Sequence, residues 1–196
     1  SLLSNPTHIY GKEPVLFYEL IQLMSQAEER VIFQSPYVVC NSWMYEELAE
    51  LAKKVPDTRI LLNSVENGDN FVASSDYLRH KDEVVATGIQ LYEYDGGTSN
   101  HGKSVLIDQD LSAVGSYNLD LRSTYLDTEL MLVVQSEELN QELEGYLTAM
   151  QESSRKVIDA DTYEIPEGLE VQTAPVSKRI AWAVFGFILQ PFRCLV

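Results

Sequence analysis

The sequence predicts an α/β domain: a mixed β-sheet flanked by helices on both faces, followed by a C-terminal helical tail. Two observations predict it. Short apolar runs bounded by breakers alternate along the chain with stretches whose apolar residues recur every three or four positions. The 196 residues are also 45% apolar and 22% charged, enough to bury one ordinary core and too apolar for a disordered chain.

Taken in order, Pro14 opens a helix with apolar residues at Val15, Leu16, Leu20, Leu23, Met24 and Ala27. Val31 to Gln34 (VIFQ) reads as a short buried strand closed by Ser35-Pro36. Asn41 or Ser42 caps a helix from Trp43 to Lys54, with Glu46 and Glu47 in its first turn. Arg59 to Leu62 is a second strand, and a helix runs from Tyr77 to Ala86 and stops at Gly88. Ile89 to Tyr94 alternates as a strand until Gly96-Gly97 breaks the chain. Lys103–Ile107, Ala113–Ser116 and Glu129–Val134 are three further strands, and Glu137–Met150 is an amphipathic helix.

Residues 1–150 therefore form one α/β unit. Residues 151–176 are polar and acidic, interrupted by Pro166, Gly168 and Pro175, and read as an extended arm or linker. Residues 177–196 form a basic, apolar tail in which Lys178, Arg179 and Arg193 flank aromatic and aliphatic residues. Its densest run, Ile180 to Leu189, is about half of the ~20 residues that cross a bilayer. The tail is open to two readings: an interfacial membrane anchor, or a helix that packs on a missing N-terminal half. The N-terminus carries no signal-peptide pattern and reads as a chain cut from something longer.

Thirty acidic residues against 14 basic ones give a net charge of −16. Such a chain is a poor non-specific binder of nucleic acid, so nucleic acid is an unlikely partner, and an anionic substrate must be held by a few local cations. Cys40 and Cys194 support neither a disulfide framework nor a zinc site, which favours a reducing compartment or a cytosolic face.

The informative stretch is His101-Gly102-Lys103-Ser104-Val105-Leu106-Ile107-Asp108, followed by Gly115-Ser116-Tyr117-Asn118. As a pattern it is HxKx₄Dx₆GSxN. On a strand, His101 and Lys103 point to one face, and so do Ser116 and Asn118. Two neighbouring strands then present an imidazole, an ammonium, a hydroxyl and a carboxamide to one pocket. That set suits a phosphodiester: histidine attacks phosphorus or protonates a leaving oxygen, and lysine and asparagine donate to the phosphate as charge builds. No metal-ligand spacing appears, and neither a metal nor a cofactor is expected. Asp108 has the opposite strand parity and is expected to be structural despite its place in the motif.

With this motif the sequence resembles the phospholipase D superfamily, whose signature is the HKD motif with its GSxN tail. Gln34-Ser35-Pro36-Tyr37, Leu62-Asn63-Ser64, Leu91-Tyr92-Glu93-Tyr94 and Asn118-Leu119-Asp120-Leu121-Arg122-Ser123 extend the resemblance toward bacterial cardiolipin synthases, most of all their C-terminal half. The resemblance implies a phospholipase D-like mixed sheet and a phosphatidyltransferase acting on phospholipids through a phosphohistidine. It assigns His101, Lys103, Asp108, Ser116 and Asn118 to the motif, and Glu129 to the acidic residue that orients the histidine ring. It also implies two HKD motifs per active unit. This chain has one, because neither His8 nor His80 is followed by lysine two places on. The partner is then the N-terminal HKD half of the same protein or a second copy. In the two-motif case His101 is the proton donor. The expected location is peripheral, on the cytoplasmic face of the cell membrane.

Several residues keep two readings. Tyr37 and Trp43 line an acyl or headgroup pocket, or fill the core. Asn63 contacts substrate, or serves a turn. Arg122 contacts a phosphate, or pairs with Asp120 or Asp127. The competing functions are a homodimeric phosphodiesterase or nuclease of the same superfamily, and a non-catalytic half-domain.

Overall fold

The alternation of strand and helix signals resolves, in a computed structural model describing residues 1–195, into a nine-stranded mixed sheet and a separate two-stranded pair. In chain order the first part is β1 (Leu2–Ser4), α1 (Val15–Met24), β2 (Val31–Gln34), β3 (Val38–Val39), α2 (Ser42–Lys54) and β4 (Thr58–Asn63). Then come α3 (Phe71–Arg79), α4 (Lys81–Ala86), β5 (Gln90–Tyr94), β6 (Ser104–Ile107), β7 (Leu111–Gly115) and β8 (Leu119–Asp120). The chain continues through α5 (Leu121–Tyr125), β9 (Leu130–Gln135), α6 (Glu137–Glu152), β10 (Ser154–Val157), β11 (Tyr163–Glu164) and α7 (Val176–Ile188), and closes with a 3₁₀ helix (Gln190–Leu195).

The sheet order is β1-β9-β7-β6-β2-β4-β5-β10-β11. Strands β2, β4 and β5 run parallel, and β6, β7, β9 and β1 continue antiparallel on one side of them. Alternation along β2 divides the core between the two faces. Val31 and Phe33 join Leu16, Phe17, Leu20, Met44, Leu48 and Tyr77 on the face covered by α1, α2 and α3. Ile32 lies on the other face with Leu61 and Leu106, beneath Leu147 and Met150 of α6. Asn41 caps α2 as expected, its Oδ1 accepting from Met44 N at 2.9 Å.

Three expectations change. The helix expected over Tyr77–Ala86 is two helices. Asn70 caps α3, its Oδ1 accepting from Val72 N and Ala73 N, and the chain breaks at His80. The break brings Lys81 into the interior, 2.7 Å from Glu93.

The arm expected over 151–176 begins inside the sheet. β10 pairs with β5, and Arg155 lies 2.7 Å from both Glu93 and Glu66. A buried charge that bonds two carboxylates is stable only in place, so Ser154–Val157 is a strand, and Tyr163–Glu164 pairs with it, while the rest from 158 to 175 is irregular.

The tail is docked on its own domain. Trp182 stacks on Phe71, and a Cβ at Gly186 would fall 2.7 Å from Ser75 O, so glycine permits the close α7–α3 approach. Arg193 then clamps Asp76 at 2.6 Å and Cys40 O at 2.8 Å. Among the described residues no helix is long and apolar enough to cross a membrane.

Candidate active site

Sheet topology gathers the motif at one edge. The carboxyl ends of parallel β2 and β4, the start of β6, the end of β7 and the start of β9 all lie there, the usual place for an α/β site. Gly115 N donates to Lys103 O at 3.2 Å and Ser116 N to Leu130 O at 2.9 Å, tying the HKD segment, the GSxN loop and β9 together. Gly115 has no alternative here, because a Cβ would lie 2.0 Å from Leu130 O.

His101 and Lys103 stand just before β6 rather than on it, so they meet within a loop and not through strand parity. Lys103 Nζ lies 2.8 Å from His101 Nδ1 and 2.7 Å from His101 O. An ammonium only donates, so Nδ1 is the acceptor and Nε2 is left for chemistry. His101 is exposed, with the Tyr37 ring edge-on to it at 5.9 Å and 71°. Tyr37 is therefore a wall of the site, whereas Trp43 packs edge-on against Phe17 in the core. The Tyr37 hydroxyl donates to Asp69 at 2.7 Å, and burial, with Asp69 beside it, pushes that hydroxyl's pKa up.

Partial burial pulls the Lys103 ammonium below its ordinary pKa, against the opposing charges of Glu129, Asp120 and Asp69. Glu129 is placed differently from the expected ring-orienting role. Its carboxylate accepts from Ser116 Oγ and from Ser123 Oγ (2.8 Å), and no hydrogen bond among the described residues joins it to His101. It fixes the GSxN serine and acts on Lys103 through charge. Asn118 lies on the same loop, with its carboxamide oxygen buried and unpartnered.

Three candidates sit elsewhere or act otherwise. Asp108 is at the far end of β6, where its carboxylate accepts from the backbone N–H groups of Glu28 (2.9 Å), Glu29 (2.8 Å) and Arg30 (3.0 Å). Burial raises its pKa, but these three donors outweigh burial and hold it below the ordinary carboxylate range. Asp108 thus ties the Glu28–Arg30 backbone to the end of β6, away from His101. Arg122 pairs with Asp127 at 2.9 Å on the surface. Asn63 is buried and clasps the loop before His101. Its Nδ2 donates to Asn100 O (2.8 Å) and its Oδ1 accepts from Asn100 N (2.8 Å).

Sequence reasoning missed the rest of that clasp. Gln34 Nε2 donates to Asn100 Oδ1 (2.8 Å) and Gln34 Oε1 accepts from Ser104 Oγ (2.8 Å), while the Tyr146 hydroxyl of α6 meets Asn100 Nδ2. A Cβ on Gly102 would lie 2.5 Å from Gln34 Nε2, so a larger residue there would push the Gln34 carboxamide out of this clasp. The available signal was a glutamine ending an otherwise apolar strand. Asp120 was also missed. It caps α5 by accepting from Ser123 N at 2.6 Å, and burial pushes its carboxyl up to about 6.

The chain matches the family described as cardiolipin synthase, PLD-like domain, over residues 20–151. It is 31% identical over 163 residues to cardiolipin synthase A of Pseudomonas syringae, covering 83% of this chain and 33% of that protein. With cardiolipin synthase A of Klebsiella pneumoniae the identity is 31% over 122 residues, covering 62% and 24%. The chain thus spans a third or less of these curated relatives. Among solved structures, phosphatidylserine synthase of Haemophilus influenzae superposes with a TM-score of 0.70 at 16% identity, over 100% of this chain and 47% of that one. Nuc, a phospholipase D family member from Salmonella typhimurium, superposes with a TM-score of 0.62 at 15% identity, over 80% and 97%. At these identities the two structures speak for the fold alone.

Proposed function

This chain belongs to the PLD-like domain family of cardiolipin synthases, and from that premise we propose that it supplies one HKD half-site of a phosphatidyltransferase acting on phospholipid phosphodiesters. The observation that carries the reading is the contact of Lys103 with His101 at the edge where Ser116, Glu129 and Tyr37 also gather. In the proposed route a histidine of a second HKD half attacks phosphorus. The bond to the leaving glycerol oxygen breaks, and His101, doubly protonated once Lys103 turns from Nδ1 to the phosphate, gives that oxygen its Nε2 proton. The acceptor alcohol then attacks the phosphohistidine and returns a proton to His101, so both histidines are regenerated. Lys103 donates to the non-bridging oxygens as charge builds, and Ser116, held by Glu129, orders the loop that carries Asn118. With phosphatidylglycerol as donor and a second lipid alcohol as acceptor, the product is a cardiolipin-type lipid.

The second half is the N-terminal HKD half of the same protein or another copy of this chain. The acidic balance supports a lipid over a nucleic-acid substrate. The protein works at the cytoplasmic face of the cell membrane without crossing it through this segment. The test uses the active unit with both halves present. His101→Ala abolishes phosphatidylglycerol turnover and chelator leaves it intact, because Lys103 supplies the local positive charge. Chelator inhibition reversed by added metal contradicts the route.

A further inference from the structure

The docking of α7 leaves its other side uncovered. Trp182 and Gly186 face α3, but Ile180, Val184, Phe187 and Ile188 on the opposite side are 48–68% exposed. Their spacing makes one outward stripe along the helix, and Phe192 of the closing 3₁₀ helix is exposed as well. A contiguous apolar patch on a soluble surface marks an interaction site. Charge identifies the occupant. Residues 176–196 contain no Asp or Glu; of their three cations Arg193 is paired with Asp76, leaving Lys178 and Arg179, and all 30 acidic residues lie in the remainder of the chain. Lys178 and Arg179 occupy the first turn of α7, and the Arg79 guanidinium of α3 stands 5.4 Å over the Phe187 ring at the stripe's border. An anionic bilayer attracts this face and repels the acidic body, so the molecule meets it in one orientation.

We propose that α7 and the closing helix form an interfacial anchor that lies on an anionic phospholipid bilayer. The anchor is rigidly joined to the catalytic edge. Arg193 bonds Asp76 of α3 and Cys40 O, and the closing helix packs on α5, which begins three residues after Asn118. Docking therefore sets the height and tilt of the His101 edge over the headgroups. The proposal deepens the lipid reading above and takes its purpose from it, but its evidence is the charge and exposure of α7.

The full chain is co-sedimented with phosphatidylcholine vesicles, with and without phosphatidylglycerol. Wild type binds the anionic vesicles roughly tenfold or more tightly than neutral ones, and rising salt erases the difference. Ile180→Ser with Phe187→Ser, both at exposed positions and checked by circular dichroism, lowers binding to the anionic vesicles roughly tenfold. Lys178→Gln with Arg179→Gln removes the preference for phosphatidylglycerol and leaves the weaker apolar binding. Vesicle binding unchanged in the apolar double variant overturns the proposal. So does a chain that ignores vesicles and self-associates through this face, shown by sedimentation in which the same variant is monomeric. Lipid turnover by the paired enzyme without vesicle binding refutes the anchor and spares the proposed function; vesicle binding without turnover does the reverse.

Discussion

Asn63→Ala separates a residue that positions the active-site loop from one that binds substrate. Asn63 exchanges two 2.8 Å hydrogen bonds with the backbone of Asn100, the residue before His101. Each is worth about 1 kcal/mol net, and Asn100's groups, left half-buried, add about 1–2 kcal/mol of unsatisfied polarity. The folded state therefore loses about 3–4 kcal/mol, or roughly 6–16 °C in Tm for a chain of this size. Released from Asn63, the loop keeps the Asn67 Nδ2 bond to Thr98 O and the hold of Gln34 and Tyr146 on Asn100's side chain, but loses both anchors on the Asn100 backbone. His101 then samples positions away from Lys103, and kcat falls roughly a hundredfold, the usual penalty for about 1 Å of misplacement. KM changes less than threefold, because Asn63 touches no substrate. Scanning calorimetry and lipid-transfer kinetics on the paired enzyme read both quantities. An unchanged Tm with a tenfold rise in KM refutes the reasoning and returns Asn63 to substrate binding.

Two further outcomes follow from the carboxylates. Asp108→Asn keeps one oxygen for the Glu29 and Arg30 N–H groups but sets an amide N–H₂ against the Glu28 N–H and removes the charge, costs about 2–3 kcal/mol in chemical denaturation, and leaves the kcat of the folded enzyme within about threefold; a large kcat loss at unchanged stability contradicts a structural role. Because the folded Asp108 carboxyl is held low, its contribution is present above the ordinary value of 3.8 and disappears as pH falls through the folded value. Asp120 has the opposite sign. Burial raises it from 3.8 to about 6, so stability falls as pH rises across that window, and the cost is fully present at neutral pH. Asp120→Asn keeps a capping oxygen and removes the charge, so it is more stable than wild type by about 1–3 kcal/mol at neutral pH and equal to it near pH 4, measured by urea unfolding at both. A pH-independent difference counts against the buried carboxylate.

The motif was legible because its residues are close in sequence. His101 and Lys103 meet in the loop before β6, and Asp108 lies past the other end of that strand, so its separation follows from distance along β6 and not from parity. The strand and helix alternation was legible for the same reason. What stayed hidden depends on partners distant in sequence. The Ser-Arg-Lys-Val of β10 has no strand-like apolar pattern, and it becomes a strand through Arg155 meeting Glu66 and Glu93, 89 and 62 residues away. Leu2–Ser4 is a strand only because β9 offers an edge. Asn63 and Tyr37 both sit after strand ends, yet one clasps a backbone loop and the other faces His101, a division that spacing alone does not carry. Glu129 shows the limit of a resemblance: its position matches, but two serines take its oxygens.

The central claim is that His101 and Lys103 form one half of a two-histidine site. One imidazole cannot be unprotonated nucleophile and protonated acid at the same instant, and His8 and His80 lie outside the cluster. The most direct test measures transfer of labelled phosphatidylglycerol by this chain while sedimentation fixes its assembly state. A verified monomer gives no transfer. Adding a second HKD half, or raising concentration until the chain pairs with itself, restores it, and a His101→Ala chain does not respond. Robust transfer by the monomer contradicts the claim.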